Sequence, residues 1–457
     1  MYFNVYNPVS QKIISKVKDY TSQDILKELK RSCKIKDKLN VKKKLIIFQK
    51  LTKQLYKKKI SQEFITTIIN EVGVSRHDAV FEFNRLLSTV KSCLKILKSR
   101  KDDVTKDYIK YETKNLNYEV LRKPLKLGLG ITPFNLPLIL SAHKIFPSLI
   151  SGTPLILKPS ELSPLSAIKL VNELEKCGLP KNFIKVITTT KPERFFNDII
   201  KSNKIDFLSF TGSFMIGQKI KEKISKKKSI KSILELGGMS PMIITKNYDL
   251  KKAAKLVIEG CFKYSGQRCT TARKIIVDKK IYKNFVSQLL LEIKQIEKNF
   301  FSGYLIHSKF VFKLKYEVKR ALKDGAKLIY GNLKTYKNRN KVSIFVLEEV
   351  KKEMKIVNQE ILGPICMLIK SNNLKDSFDI ANYGNYNIAG SILSNENKII
   401  NLAIKELEVN QLNINNVPGF RSEVTPFGGS NKSGNFYKEG LICASNEMSY
   451  LKVNYYS

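Results

Sequence analysis

The chain has 457 residues, 43% of them hydrophobic, and a mean hydropathy of −0.21, so it is long and apolar enough for a buried core spread over two or three structural domains. The composition excludes a disordered or fibrous chain and reads as soluble and globular. The formal charge of +42 arises from 82 Lys and Arg against 40 Asp and Glu, spread almost end to end; that reads as a solvated surface drifted toward Lys rather than one basic face for nucleic acid.

Residues 21–105 read as helices: Ser22-Gln-Asp-Ile-Leu opens one, and Phe64 to Leu97 carries apolar residues at three-four spacing. Residues 108–122 alternate in the manner of paired strands. From 126 short apolar runs (Leu127–Ile131, Pro154–Leu157, Ile184–Ile187, Phe207–Phe210) alternate with helical stretches, which predicts a parallel sheet covered on both faces. After Gly238 the pattern restarts with a strand at Pro241–Thr245, a helix over 249–262, a strand at Lys274–Val277, helices over Tyr282–Ile296 and 308–324, and a strand at Ala326–Tyr330. A second α/β domain follows from this. The tail Met448–Tyr456 reads as a strand that has to pair with something, the 108–122 strands or another subunit.

Seven Cys are scattered without a CxxC pair, which predicts reduced thiols in the cytoplasm. Three His and no Cys/His cluster predict no metal site. The N-terminus lacks the apolar core of a signal peptide, and the longest uncharged stretch, from Leu127, is interrupted by Pro133 and Pro137, so no membrane association is expected.

The chemistry concentrates in Tyr264-Ser-Gly-Gln-Arg-Cys269-Thr, where one Cys stands behind a Gly turn and next to Arg268, whose charge favours thiolate. A carboxylate, Glu235, lies in Leu234-Glu-Leu-Gly-Gly, where flanking leucines predict desolvation and a raised pKa. A thiol and a base for water are what a covalent route from aldehyde to acid requires. Taken alone, Cys269 could be an inert core Cys and Glu235 a structural ion-pair partner.

The blocks ITPFNLPL, LILKPSELSPLSA, LSFTGSFMIG, LELGGMSP, SGQRCT, QEILGP and PFGGSNKSG stand in one order from about Asn7-Pro8 to the last strand. With them the chain resembles the aldehyde dehydrogenase superfamily. The resemblance implies an α/β fold with a Rossmann-like cofactor domain (1–107 and 127–237), an α/β catalytic domain (238–438) and a β-strand oligomerisation arm (108–126 and 439–457) that forms a homodimer or homotetramer. It makes Cys269 the nucleophile that passes through a thiohemiacetal and a thioester, Glu235 the base that hydrolyses the thioester, and Asn135 the oxyanion donor, a role that contributes on the order of 3 kcal/mol.

The cofactor implied is NAD, with NADP possible. Gly212, Ser213 and Gly217 in FTGSxxxG match the pyrophosphate turn, Lys158 and Glu161 the adenosine ribose, Glu360 the nicotinamide ribose, and Thr132 and Pro133 the adjoining wall. Two departures stand out: Leu362 where relatives commonly have Phe, and a shortened segment over Lys298–His307. Only 11 of the basic residues are Arg; Arg268, Arg421 and Arg85 match positions near the family's active site, where the resemblance implies that they, with His143, bind an anionic substrate tail, ordinary ion pairs being the alternative for Arg85 and Arg421. The look-alikes are lactaldehyde, phosphonoacetaldehyde, non-phosphorylating glyceraldehyde-3-phosphate and semialdehyde dehydrogenases. The alternative from another class is a catalytically decayed scaffold that binds polyanions or nucleic acid.

Overall fold

The computed structural model describes residues 1–35, 39–99, 117–226, 230–296 and 301–456. The expected strand residues 108–116 and the first residues of the shortened segment, 298–300, lie outside these. The chain opens with a hairpin, Tyr2–Tyr6 against Ile13–Lys18, which the sequence reading missed. Its signal was the alternation in Tyr-Phe-Asn-Val-Tyr ahead of Asn7-Pro8. Four helices follow: Ser22–Ser32, Val41–Leu55, Lys58–Val72 and Arg76–Ser99. The periodic run from Phe64 to Leu97 is two helices rather than one. Lys58–Val72 ends at Gly73, whose φ of 77° is the left-handed cap that stops a helix.

Five parallel strands form the first sheet, in the order Ile184–Val186, Leu155–Lys158, Gly128–Ile131, Phe207–Thr211, Lys231–Glu235. In chain order that is third, second, first, fourth, fifth, so the winding reverses between Gly128–Ile131 and Phe207–Thr211. A reversal opens a crevice at the carboxyl ends of the two strands. Thr132, Pro133 and Asn135 follow the first of these strands, and Gly212 and Ser213 follow the fourth. The helix Pro137–Ser151, buried at every position from Pro137 to Ile150 except Leu140, packs behind the crevice.

The second sheet has seven strands. Its middle holds Ile365–Ser371, Ala272–Asp278, Ser240–Ile244 and Gly390–Leu393 as parallel neighbours, and only Lys327–Tyr330 runs antiparallel, on the edge. Both faces are buried, which explains runs such as Lys274-Ile-Ile-Val read as one apolar strand. Three adjacent strands of this sheet are entered from segments that carry Glu235, Cys269 and Glu360. The amino ends of the second sheet thus bring together residues that are more than a hundred positions apart. The last strand, Ser449–Tyr456, pairs antiparallel with Asn117–Pro124 as a separate two-stranded sheet. Among the described residues no helix is long and apolar enough to cross a membrane.

Candidate active site

Cys269 is carried by a backbone turn that few side chains adopt. Tyr264, Ser265 and Gly266 have φ of 55°, 51° and 67°, three left-handed residues in a row. Asp78, on the helix Arg76–Ser99, holds the turn: its Oδ2 accepts from Tyr264 N at 3.0 Å, and its carbonyl accepts from the Tyr264 hydroxyl at 2.7 Å. Arg273, fully buried, braces the rest. It donates to the carbonyls of Gly238 at 2.9 Å and of Gly266 and Arg268 at 3.1 Å. Gly238 lies against the Cys269 carbonyl so closely that a Cβ there would collide with it. Asn135 reaches across from the segment between Gly128–Ile131 and Pro137–Ser151, and its Nδ2 donates to the Gln267 carbonyl at 2.6 Å. An amide nitrogen has two hydrogens, so one remains free for a substrate oxygen.

The resting thiol is not a ready thiolate. Burial, then the charges of Glu360 and Glu235, push the Cys269 thiol up to about 11, against the opposing charges of Arg268 and Arg273. The sequence reading credited Arg268 with favouring thiolate. It does so, but burial is the larger effect.

Glu235 is buried, and neither carboxylate oxygen has a hydrogen-bond partner. Burial, and after it the negative charge of Glu439, raise its carboxyl well above the usual range. Glu439 is also buried, but the ion pair with Lys144 outweighs its burial and holds it below that range. Lys144 donates as well to Thr211 Oγ1 at 2.7 Å.

A cavity of about 580 Å³ fills the crevice of the first sheet and reaches the nucleophile. Its wall gathers Thr132, Pro133, Asn135, Lys158, Glu161, Gly212, Ser213, Cys269, Glu360 and Leu362. Gly217 is off the wall, because its Cα packs against Leu236. Glu235 is off it too. The donors fit a dinucleotide. Ser213 caps the helix Phe214–Ser225 without using its side chain, so the first-turn amides stay available, and Thr132 Oγ1 has no partner. Glu360 accepts from Gly238 N at 3.3 Å, while Lys158 and Glu161 pair at 3.3 Å.

The four residues expected at the substrate tail do not line this cavity. Arg268 donates to the carbonyls of Glu259 and Gly260, each at 3.4 Å. Arg85, His143 and Arg421 instead surround Glu423. Sequence reasoning missed Glu423, Glu439, Lys144 and Arg273. Arg273 had a signal in the scarcity of Arg. It also missed Lys219, Lys223, Phe196 and Phe310 on the cavity wall; Lys219 and Lys223 had a signal, one helical turn apart behind Ser213.

A family model described as the aldehyde dehydrogenase family matches residues 1–454. The lactaldehyde dehydrogenase of Methanocaldococcus jannaschii is 31% identical, over 98% of this chain and 96% of that protein. The 3-sulfolactaldehyde dehydrogenase of Priestia aryabhattai is 28% identical, over 86% of this chain and 82% of that one. The betaine aldehyde dehydrogenase of Staphylococcus aureus, solved with NAD+, superposes with a TM-score of 0.91 at 22% identity, covering 99% of this chain and 91% of that one. A thiol and an amide line the crevice, a desolvated carboxylate lies within electrostatic range of the thiol, and the family match runs nearly end to end: the chain belongs to the aldehyde dehydrogenase family.

Proposed function

We propose that the chain oxidises a small aldehyde to its carboxylate with NAD, NADP being a second possible partner, and that Cys269 is the nucleophile, Asn135 an oxyanion donor and Glu235 the base. The observation that carries this is the convergence of Cys269, Asn135 and the unpartnered helix amides on one cavity, with an unsolvated carboxylate beside it.

Cys269 must first give its proton to solvent water in the cavity, since burial keeps the thiol protonated at neutral pH. The sulfur then bonds to the carbonyl carbon, and the oxygen takes up charge facing the free hydrogen of Asn135 Nδ2 and the Cys269 amide. A bound nicotinamide ring supplies the acceptor for the electron pair and hydrogen that leave the thiohemiacetal carbon. Glu235 takes a proton from water, the water oxygen attacks the thioester, and the carbon–sulfur bond breaks to return the thiol. Lys158 and the Glu161 carboxylate would hold the adenosine ribose, Gly212 and Ser213 the pyrophosphate, and Glu360 the nicotinamide ribose, with Leu362 as an apolar wall.

The substrate is read as an aldehyde with an anionic tail. The name of the relative that acts on 3-sulfolactaldehyde, whose sulfonate is an anion, supports this, while lactaldehyde, in the name of another relative, carries no charge. A homodimer or homotetramer through the two-stranded sheet is supported by exposed Leu451, Val453, Tyr455 and Tyr456 on its last strand. Reduced Cys, all seven of them free, support a cytoplasmic setting.

A panel of aldehydes assayed with NAD and NADP tests the reading. NADH or NADPH is expected from the wild type and not from Cys269→Ala. Reduction of the cofactor by the variant at the wild-type rate would remove Cys269 from the chemistry.

A further inference from the structure

The cavity wall carries apolar side chains in two groups. One stands on the helices Pro192–Lys201 and Phe214–Ser225: Phe196, Ile216 and Ile220. The other is carried by the segments around the thiol: Phe134 beside Asn135, then Phe310, and Leu362 two residues after Glu360. The turn Gly212-Ser213, with the open amides of its helix, is a polar part of the same wall. A dinucleotide has the matching make-up, two flat bases joined through a charged pyrophosphate. In the proposed reaction the carbon that loses hydrogen is bonded to the Cys269 sulfur, so the reacting ring belongs with the second group. Leu362 is aliphatic, which leaves Phe134 and Phe310 as the rings of that group.

Phe310 stands in the first turn of the helix Ser308–Lys323. Its ring packs on Phe134 with centroids 4.9 Å apart and planes inclined by 39°. Three ties fix the start of this helix. Ile306 N, just ahead of it, donates to Gln267 Oε1 at 3.1 Å, two residues from Cys269. Lys313 Nζ donates to the Glu360 carbonyl at 3.2 Å. Leu314, one turn after Phe310, packs on Gly363 so closely that a Cβ there would collide with it, and Gly363 N donates to the Gly266 carbonyl at 3.1 Å. The helix is thus pinned both to the nucleophile turn and to the Glu360 segment. Core packing accounts for part of the ring, which adjoins the cluster of Leu314 and Ile361. The ring is nevertheless only half-buried, and it lines the cavity.

We infer that Phe310 is a cofactor-binding residue, which with Phe134 forms an aromatic wall for the nicotinamide half of the dinucleotide. The inference rests on the proposed use of NAD or NADP. A flat ring gains from an aromatic neighbour in offset or edge contact, beyond the area that it buries. The three ties give that wall a fixed place relative to Cys269 and Glu360, so the affinity it adds also sets the distance from ring to sulfur.

Fluorescence titration with NADH and with NADPH tests this without turnover. Phe310→Leu keeps an apolar side chain for the core and is expected to weaken binding of the reduced cofactor by about fivefold. Phe310→Tyr keeps the ring and is expected to bind within about twofold of the wild type. ADP shares everything with NADH except the nicotinamide half, and its affinity, read by competition, is expected to be the same in Phe310→Leu as in the wild type. Unchanged cofactor affinity in Phe310→Leu, equal losses in Phe310→Leu and Phe310→Tyr, or a loss for ADP as large as that for NADH overturns the inference alone. A wild type that binds neither NADH nor NADPH overturns the cofactor reading, and the inference with it.

Discussion

Glu235 and Glu423 lie near each other and are equally withdrawn from water, at 2% and 4% exposure, yet they titrate in opposite directions. Glu423 is also penalised by burial, but Arg85 and His143 outweigh that and hold it far below the usual carboxylate range. Glu235 has no hydrogen-bond donor, and Glu439 repels its charge. Depth alone does not make a base. What separates the two is whether cations and donors have been built around the carboxylate. One is equipped to hold a charge permanently, the other to take up a proton and release it.

The largest expected break in that contrast is Glu235→Gln. Loss of a general base lowers kcat by roughly 10²–10⁴-fold. The variant should still release a burst of NADH and then stall as the thioester, detectable by mass spectrometry. The wild-type rate should rise with pH through a value above the ordinary Glu range, because the base acts only when deprotonated; the variant should lack that limb. Steady turnover without a burst limit would move the role to another group.

Next comes Gly419→Ala. Its φ of 82° and the contact with Thr270 leave no room for a methyl group, so the Arg421 loop must move off the nucleophile segment. A fall of about 10²-fold in kcat/KM for charged aldehydes is expected from misplacement of this size, with a smaller fall for butanal. Equal losses on both would separate the loop from tail recognition.

The smallest effect sharpens the comparison through a third carboxylate. Glu82 Oε1 accepts from Leu138 N at 2.9 Å and Ile139 N at 3.0 Å, but no cation pairs with it, and burial raises its pKa to about 8. A raised folded-state value means that the protonated form is favoured by folding. Its contribution is complete below the unfolded value of 4.5 and is lost as pH rises through about 8. Wild-type Tm should therefore fall across that window. Glu82→Gln should flatten the fall by an amount on the order of 1–3 kcal/mol in unfolding free energy, measured by urea titration at several pH values. An unchanged slope would assign the effect to Glu71, raised to about 7 by burial at the start of the next helix, Leu165–Lys176.

Much of this architecture was legible because it is written locally. Apolar runs of four or five residues between helical stretches marked both sheets, and Gly-containing turns marked the segments that carry Cys269, Glu235 and Glu360. Other features exist only after folding. The helix break at Gly73 follows from one left-handed residue within a continuous pattern. Phe310 reaches the cavity by packing on Phe134, ring centroids 4.9 Å apart, across 176 positions of chain. Arg85 and Arg421 read as candidates for a substrate anion, with ordinary ion pairs as the alternative, because the carboxylate they surround is nothing more, in sequence, than Glu in a loop.

Arg273 takes the matter of composition further. Three carbonyls from two stretches of chain, Gly238 and the turn Gly266–Arg268, end on a single flat guanidinium, two of them on one nitrogen. An ammonium can also serve three carbonyls, as Lys274 does for Ile380, Ala381 and Tyr383, but from one point, whereas Arg273 reaches its acceptors from two nitrogens set apart in a plane. In a chain of 82 Lys and Arg of which only 11 are Arg, the planar fork of Arg273 braces the turn that carries the sulfur.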